Sequence, residues 1–275
     1  MRWTPGQRSR NLDDRRGSGM RVGMPLGIGG LLLIGALSLL TGENFFALLP
    51  TGAPQTSEGP VASTPEEEQM VDFVSFVLDD NQATWAELLP NQYQDARLVL
   101  FRDQVQSACG FGQAASGPFY CPGDAQVYLD LSFFEELSRR FSAPGDFAQA
   151  YVIAHEIGHH VQNLTGTESR VRQLQRGDPS SVNELSVRME LQADCYAGVW
   201  GSAASRRGVL ETGDVEEGLN AASAIGDDRI QEMANGRVHP ESFTHGSSAQ
   251  RVEWFRRGLQ SGDPTSCDTF SSSGL

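Results

Sequence analysis

Ala154-His155-Glu156-Ile157-Gly158-His159-His160 is the stretch on which the reading of this chain turns. His155 and His159 are four apart, and four residues of helix advance about 400°, so both imidazoles leave the same face. A histidine pair at that spacing can take one Zn²⁺ and leave room for a third protein ligand and a water. Glu156 is rotated off the ligand pair yet faces the same cleft, where it can accept a proton from that water, as the H-E-x-x-H pattern requires. Taken alone, the pattern also describes two ordinary surface or core histidines.

The surroundings favour the metal. Asp146, after Ser142-Ala143-Pro144-Gly145, is a suitable N-cap, and Gly166 a suitable stop. Between them Phe147, Ala150, Tyr151, Ala154, Gly158 and Val161 form a helical apolar stripe. His155 lies roughly 40° and His159 roughly 80° from Tyr151 of that stripe, at the margin of the buried face.

A catalytic zinc site needs a third ligand, and Arg188-Met189-Glu190-Leu191-Gln192-Ala193-Asp194-Cys195-Tyr196-Ala197-Gly198 offers it. Leu185, Met189, Ala193, Tyr196 and Trp200 predict a helix from about Val182 to Arg206. Glu190 and Asp194 share one of its faces. One carboxylate can bind the ion while the other accepts the Nδ1 proton of a ligand histidine and orients it. The reading takes Glu190 as the ligand and Asp194 as the orienting group, with Glu184 in reserve. Solvated acids paired with Arg188 or Arg206 are the plain alternative.

H-E-x-x-H followed by E-x-x-x-D on a second helix resembles the glutamate-zincin pattern of thermolysin-like and integral-membrane zinc peptidases. The wording Glu190-Leu191-Gln192-Ala193-Asp194-Cys195-Tyr196-Ala197-Gly198 is similar to a bacterial family of neutral zinc metallopeptidases. So are Gly117-Pro118-Phe119-Tyr120-Cys121-Pro122, Val127-Tyr128-Leu129-Asp130-Leu131, Ala224-Ile225-Gly226-Asp227-Asp228, Ser242-Phe243-Thr244-His245-Gly246 and Cys267-Asp268-Thr269-Phe270. The resemblance runs from about Cys109 to Phe270. It implies a zinc peptidase in which a strand, here Gln126–Asp130, edges the cleft and pairs with an extended substrate. An ordinary core strand is the other reading of that segment.

The N-terminus reads as an appendage. Residues 1–21 carry six arginines against Asp13 and Asp14, a local charge of +4. Residues 22–42 then run uncharged for 21 residues, long enough at 1.5 Å each to cross roughly 30 Å of hydrocarbon. This predicts an uncleaved single-pass anchor in a bacterial membrane, with a cytoplasmic basic tail (1–21), an extracytoplasmic linker (43–64) and an extracytoplasmic metallopeptidase domain (65–275). A cleavable signal peptide is the alternative. Thr64-Pro65-Glu66-Glu67 is a capping box with proline at the first helical position, and opens the domain.

Subtracting +4 from the net charge of −14 leaves −18 for residues 22–275, which argues against nucleic acid and anionic lipid surfaces as partners. Four cysteines fit an oxidising compartment and allow three pairings. We pair Cys109 with Cys121, closing a Gly-rich loop, and Cys195 with Cys267, pinning the tail to the second helix. Cys195 as a zinc ligand is disfavoured, because it points about 100° away from Glu190 and Asp194's face.

Helices are expected over residues 65–79, 82–89, from about Ser132, 215–233 and 246–259, with strands over 96–101 and 126–130. The fold class is therefore α+β, mainly helical: a zincin-like domain with an HExxH helix, a second ligand helix and a small β element, preceded by one transmembrane helix. His245, just before a helix start with Ser247 as a cap, is a candidate hydrogen-bond donor to the oxyanion, or else a capping histidine. Tyr120, Tyr128 and Tyr151 compete for that role. His160 reads as a structural partner. The expected function is a zinc-dependent endopeptidase with a peptide or protein substrate. A non-catalytic zinc-stapled envelope protein and a zinc amidase of cell-wall peptides are the alternatives.

Overall fold

Thr64 starts the first long helix as its chemistry directs: its hydroxyl accepts from the Glu67 N–H at 3.2 Å, and Pro65 needs no donor partner. This helix, α1, runs unbroken over Pro65–Leu88, where the sequence suggested two shorter ones. The computed structural model describes residues 1–17, 63–113 and 117–271. Within them the fold is α+β and mostly helical, with eight α-helices and a small sheet.

The sheet has the order β1-β2-β6-β5, where β1 is Leu12–Asp14, β2 Arg97–Phe101, β5 Phe119–Cys121 and β6 Gln126–Asp130. The first three run parallel and β5 is antiparallel to β6. Leu98, Val99 and Leu100 are all fully buried, the continuous apolar run of a strand covered on both faces. A separate hairpin pairs β3 (Gln104–Ser107) with β4 (Gly110–Gln113). Of the expected strands, β2 and β6 fall where the pattern put them. Strand β6, expected to edge the cleft, is instead internal; the short strand β5 takes the outer position.

Helix α2 (Ser132–Arg139) leads into α3 (Asp146–Leu164), α4 (Thr167–Gly177), α5 (Val182–Arg206), α6 (Asp214–Ala224), α7 (Asp227–Asn235) and α8 (Ser248–Ser261). The expected helix over 215–233 is broken between α6 and α7 at Gly226, where a Cβ would lie 2.4 Å from the Ser248 backbone nitrogen. Ser247 caps α8 through a full capping box with Gln250. Helix α3 begins one residue earlier than expected: Gly145 is the cap, and the Asp146 carboxylate meets the Met1 amine at 2.8 Å instead.

Helices α3, α5 and α8 form the centre, around Phe147, Tyr151, Trp200 and Phe255. Their spacing is set by glycine. A Cβ on Gly258 would sit 1.9 Å from the Cys195 carbonyl oxygen, and one on Gly198 2.1 Å from that of Phe255, so α5 and α8 touch backbone to backbone. Both expected disulfides, Cys109–Cys121 and Cys195–Cys267, are present.

The N-terminal segment departs from the sequence reading. Leu12–Asp14 pairs in parallel with Leu98–Leu100, and Trp3 packs edge-on against Phe73 at 5.3 Å. Arg16, 1 % exposed, reaches Asp14 at 2.6 Å, Glu68 at 2.9 Å and Glu67 at 3.1 Å. Arg8 and Arg16, two of the arginines that suggested a free basic tail, are thus matched by carboxylates on α1. Residues 1–17 belong to the folded unit, which corrects the boundary drawn for a separate tail over 1–21. A segment hydrogen-bonded into the sheet shares the compartment of that sheet. No helix among the described residues is long and apolar enough to cross a membrane, and the expected span 22–42 lies outside them.

Candidate metal centre

Gly158 lies between the two histidines of the motif, and there α3 crosses α5. A Cβ at this position would stand 3.0 Å from the Ala193 carbonyl oxygen, so glycine permits the close approach. The crossing brings His155 and His159 of α3 against Glu190 and Asp194 of α5. His155 Nε2 lies 3.1 Å from Glu190 Oε2, and His159 Nε2 lies 3.4 Å from Glu190 Oε1. One donor atom from each of the three falls within 4.8 Å of the others.

The far sides of both imidazoles are occupied. His155 Nδ1 meets Asp194 Oδ1 at 2.8 Å, and His159 Nδ1 meets Gln162 Oε1 at 2.8 Å. With Nδ1 donating to an oxygen, each ring presents Nε2 to the shared point, the tautomer a metal ligand needs. Two imidazole nitrogens and a carboxylate, so converged, fit a zinc ion with a fourth position left over. Glu156 is 8 % exposed, lines the same cleft and takes no part in these pairings.

The charges of the site agree with a cation there. Burial pushes the His155 pKa down, but the Asp194 charge and hydrogen bond, joined by Glu190, raise it to about 10. Glu190 raises His159 against the same opposition from burial. Glu190 itself, although buried, is held well below the ordinary carboxylate value by His159 and His155. Both shifts favour positive charge where the two rings meet Glu190, and a divalent ion there would compete with protons for the histidines.

Sequence reasoning missed what holds Asp194. Arg251 of α8, 2 % exposed, donates to Asp194 Oδ2 from Nε at 2.8 Å and to Oδ1 from Nη2 at 2.9 Å. Its Nη1 donates to the Ile225 carbonyl at 3.0 Å, and the Tyr151 hydroxyl donates to Asp194 Oδ1. Burial would raise the Asp194 pKa; Arg251 and then His155 lower it. Gln162, also missed, donates to the Met189 carbonyl at 2.7 Å and to Gln192 at 3.1 Å, and Gln192 donates to the Cys267 carbonyl at 2.9 Å. The signal for Gln162 was its place three residues after His159; for Arg251 it was the likeness of the segment from Phe243 to Arg251 to one that ends in Arg in membrane-associated zinc peptidases, which gave the arginine no role. Glu184, the reserve ligand, pairs with Arg188 at 2.8 Å instead.

His245 lines the cleft with its ring half exposed. Its Nδ1 lies 3.2 Å from Asp227 Oδ1, and the other oxygen, Oδ2, accepts backbone N–H groups of Thr244, His245 and Gly246 at 2.7, 2.6 and 3.1 Å. The Asp227 hydrogen bond raises the His245 pKa. The three tyrosines are otherwise engaged. Tyr151 donates to Asp194 and Tyr128 to Asp124 at 2.8 Å. Tyr120 shares a 3.0 Å hydrogen bond with His160 Nδ1, while His160 Nε2 donates to the Gln94 carbonyl at 2.6 Å. Burial lowers the His160 pKa, as befits a neutral ring in that chain of bonds. Cys195 is spent in its disulfide and offers no ligand.

A protein with this helix pair and donor set has the outline of a metallopeptidase, and comparison with known proteins agrees. The chain belongs to the family described as "Putative neutral zinc metallopeptidase", whose model matches residues 1–270. It is 50 % identical over 287 residues to "Uncharacterized protein YpfJ" of Escherichia coli, covering 99 % of this chain and 100 % of that one. It is 48 % identical over 204 residues to "Uncharacterized protein Mb2605" of Mycobacterium bovis, covering 70 % of this chain and 68 % of that one. "Uncharacterized protein Rv2575" of Mycobacterium tuberculosis matches to the same extent. No solved structure matches the chain.

Proposed function

We propose that this protein is a zinc-dependent endopeptidase that cuts extracytoplasmic polypeptides. The observation that carries the reading is the convergence of His155, His159 and Glu190 on one point, with Glu156 beside it and without an ion-pair partner among the described residues. His155, His159 and Glu190 would hold the ion. Bound zinc would supply Lewis acidity, making a water easier to deprotonate and the scissile carbonyl easier to attack. Glu156 takes the proton of the attacking water and passes it to the leaving amine. Asp194 orients His155, and Gln162 orients His159. His245, positioned by Asp227, donates a hydrogen bond to the developing oxyanion, since the three candidate tyrosines have given their protons elsewhere.

Strand β5 supports an extended substrate pose. It lies at the sheet edge, Phe119 and Tyr120 line the cleft, and an outer strand has backbone groups free to pair. The two disulfides favour an oxidising compartment, so we assign the folded unit, β1 included, to the extracytoplasmic side. A single-pass anchor over residues 22–42 would separate β1 from the strand it pairs with, so it is not part of this proposal.

The test is digestion. Full-length protein, stripped by chelator and then resupplied with zinc, is incubated with an unfolded protein and with cell-wall fragments, and the products are sequenced. Zinc-dependent cuts inside the unfolded chain support the reading. Cuts confined to cell-wall peptides transfer the chemistry to an amidase, and no cuts in either remove it.

A further inference from the structure

Two cavities flank the metal centre. One, of about 670 Å³, has an apolar wall of Phe133, Phe141, Val152, Ile225 and Ile230. The other, of about 550 Å³, lies between α4 and α5. His159, Glu168, Arg172 and Glu190 line both, so the two are halves of one groove that passes the candidate ligands. The halves differ in chemistry, and the second has no role in the scheme above.

Besides the ligand histidine and Glu190, the charged groups of the second half are Glu168, Arg172 and Arg176. Glu168 and Arg172 are four apart on α4, and Glu168 Oε1 accepts from Arg172 Nε. That bond takes the inner edge of the guanidinium. The terminal Nη groups make no hydrogen bond to the described residues, and 54 % of the side chain is exposed. Arg176, another four residues on, shares the face and has no carboxylate partner among the described residues. Counting Arg172 and Arg176 against Glu168 gives a local charge of +1, because Glu190 is committed to the metal site. In a chain of net charge −14, a groove segment of this sign is a local reversal. An arginine fork held at Nε and open at its end suits a carboxylate, which can accept two parallel N–H bonds.

We infer that the α4–α5 half of the groove is a subsite for an acidic side chain of the substrate, with Arg172 as its specificity-determining residue and Arg176 extending it. The inference rests on the peptidase reading and adds a substrate class to it: segments carrying Asp or Glu on the α4 side of the cut bond and a bulky apolar residue on the other. Glu168 is a positioning residue, acting only through Arg172.

The test uses full-length, zinc-supplied protein and quenched peptides that share a leucine core and carry Glu, Gln or Lys at each flanking position in turn. At one position the Glu peptide is expected to exceed its Gln twin about tenfold in kcat/KM, mainly through KM, the scale of one charge-assisted pair. Arg172→Gln brings that ratio near one, and Arg172→Glu turns the preference toward Lys. A second readout avoids turnover: Glu156→Gln protein binds the Glu peptide more tightly than the Gln peptide by a similar factor. Peptides cut equally well whether they carry Glu, Gln or Lys, or an acid preference that survives Arg172→Gln, would overturn the subsite while leaving the peptidase intact. If no peptide is cut or bound, the peptidase reading falls and the subsite falls with it.

Discussion

The candidate metal centre and the N-terminal segment are both charged clusters, yet they obey different rules. At the metal centre the charges sit on two helices at four-residue spacings, so the sequence itself states which side chains share a face. In residues 1–17, Arg8 and Arg16 find partners on α1, roughly 50 to 65 residues away, that no local spacing announces. Clusters written in helical periodicity can be read from the chain; clusters written in tertiary pairing need the fold.

Arg251 belongs to the second kind although it serves the first site, and it gives the largest expected effect. Arg251→Met leaves Asp194 buried without its cation, which should cost about 3–5 kcal/mol of stability. Zinc affinity should fall roughly 10- to 100-fold through the loosened His155. Denaturant melts and zinc competition check both, and Arg251→Lys should restore part of the affinity. An unchanged affinity would reduce Arg251 to a packing residue.

His245→Ala comes next. It should lower kcat about 100-fold, the scale for one oxyanion donor, with zinc content unchanged. Tyr120→Phe should have far less effect, because that hydroxyl serves His160. The reverse ranking would exchange the two roles.

How much was legible follows the same division. The helix Val182–Arg206 and strand Gln126–Asp130 were placed to the residue because their apolar periods are clear. The convergence of His155, His159, Glu190 and Asp194 followed from H-E-x-x-H and E-x-x-x-D. The break between α6 and α7 was missed because Gly226 is dictated by a contact with Ser248 far along the chain. Strand β5 was missed because three residues around a cysteine carry too little alternation to register. Residues 1–17 were misassigned because the apolar run after them made a membrane topology the natural frame, and arginines read as a tail when their carboxylates are distant.

Arg16→Ala tests that correction. Losing a buried guanidinium shared by Asp14, Glu67 and Glu68 should cost about 1–3 kcal/mol, whereas the same change in a detached tail would stay within about 0.5 kcal/mol. Thermal melts of the full-length variant separate the two.

The smallest expected effect is of pH. Hydrogen bonds from Ser63, Arg8 and Arg16 hold the Glu68 pKa down to about 2, from an ordinary 4.5. Asp14 is also lowered: burial opposes, and the Arg16 bonds prevail. Folded values below unfolded ones mean that this stabilisation is complete above about pH 4.5 and is lost as the pH falls toward 2. Hydrogen exchange at the Leu12–Asp14 amides should therefore speed up over that window, ahead of exchange in α5.

The measurement that bears most directly on the metal centre is zinc content and peptide turnover of full-length wild-type and Glu156→Gln proteins, side by side. One zinc per chain in both, with turnover falling about 1000-fold or more in the variant, is the predicted result. Wild-type turnover in Glu156→Gln, or a folded wild-type protein that takes up no zinc, would contradict it.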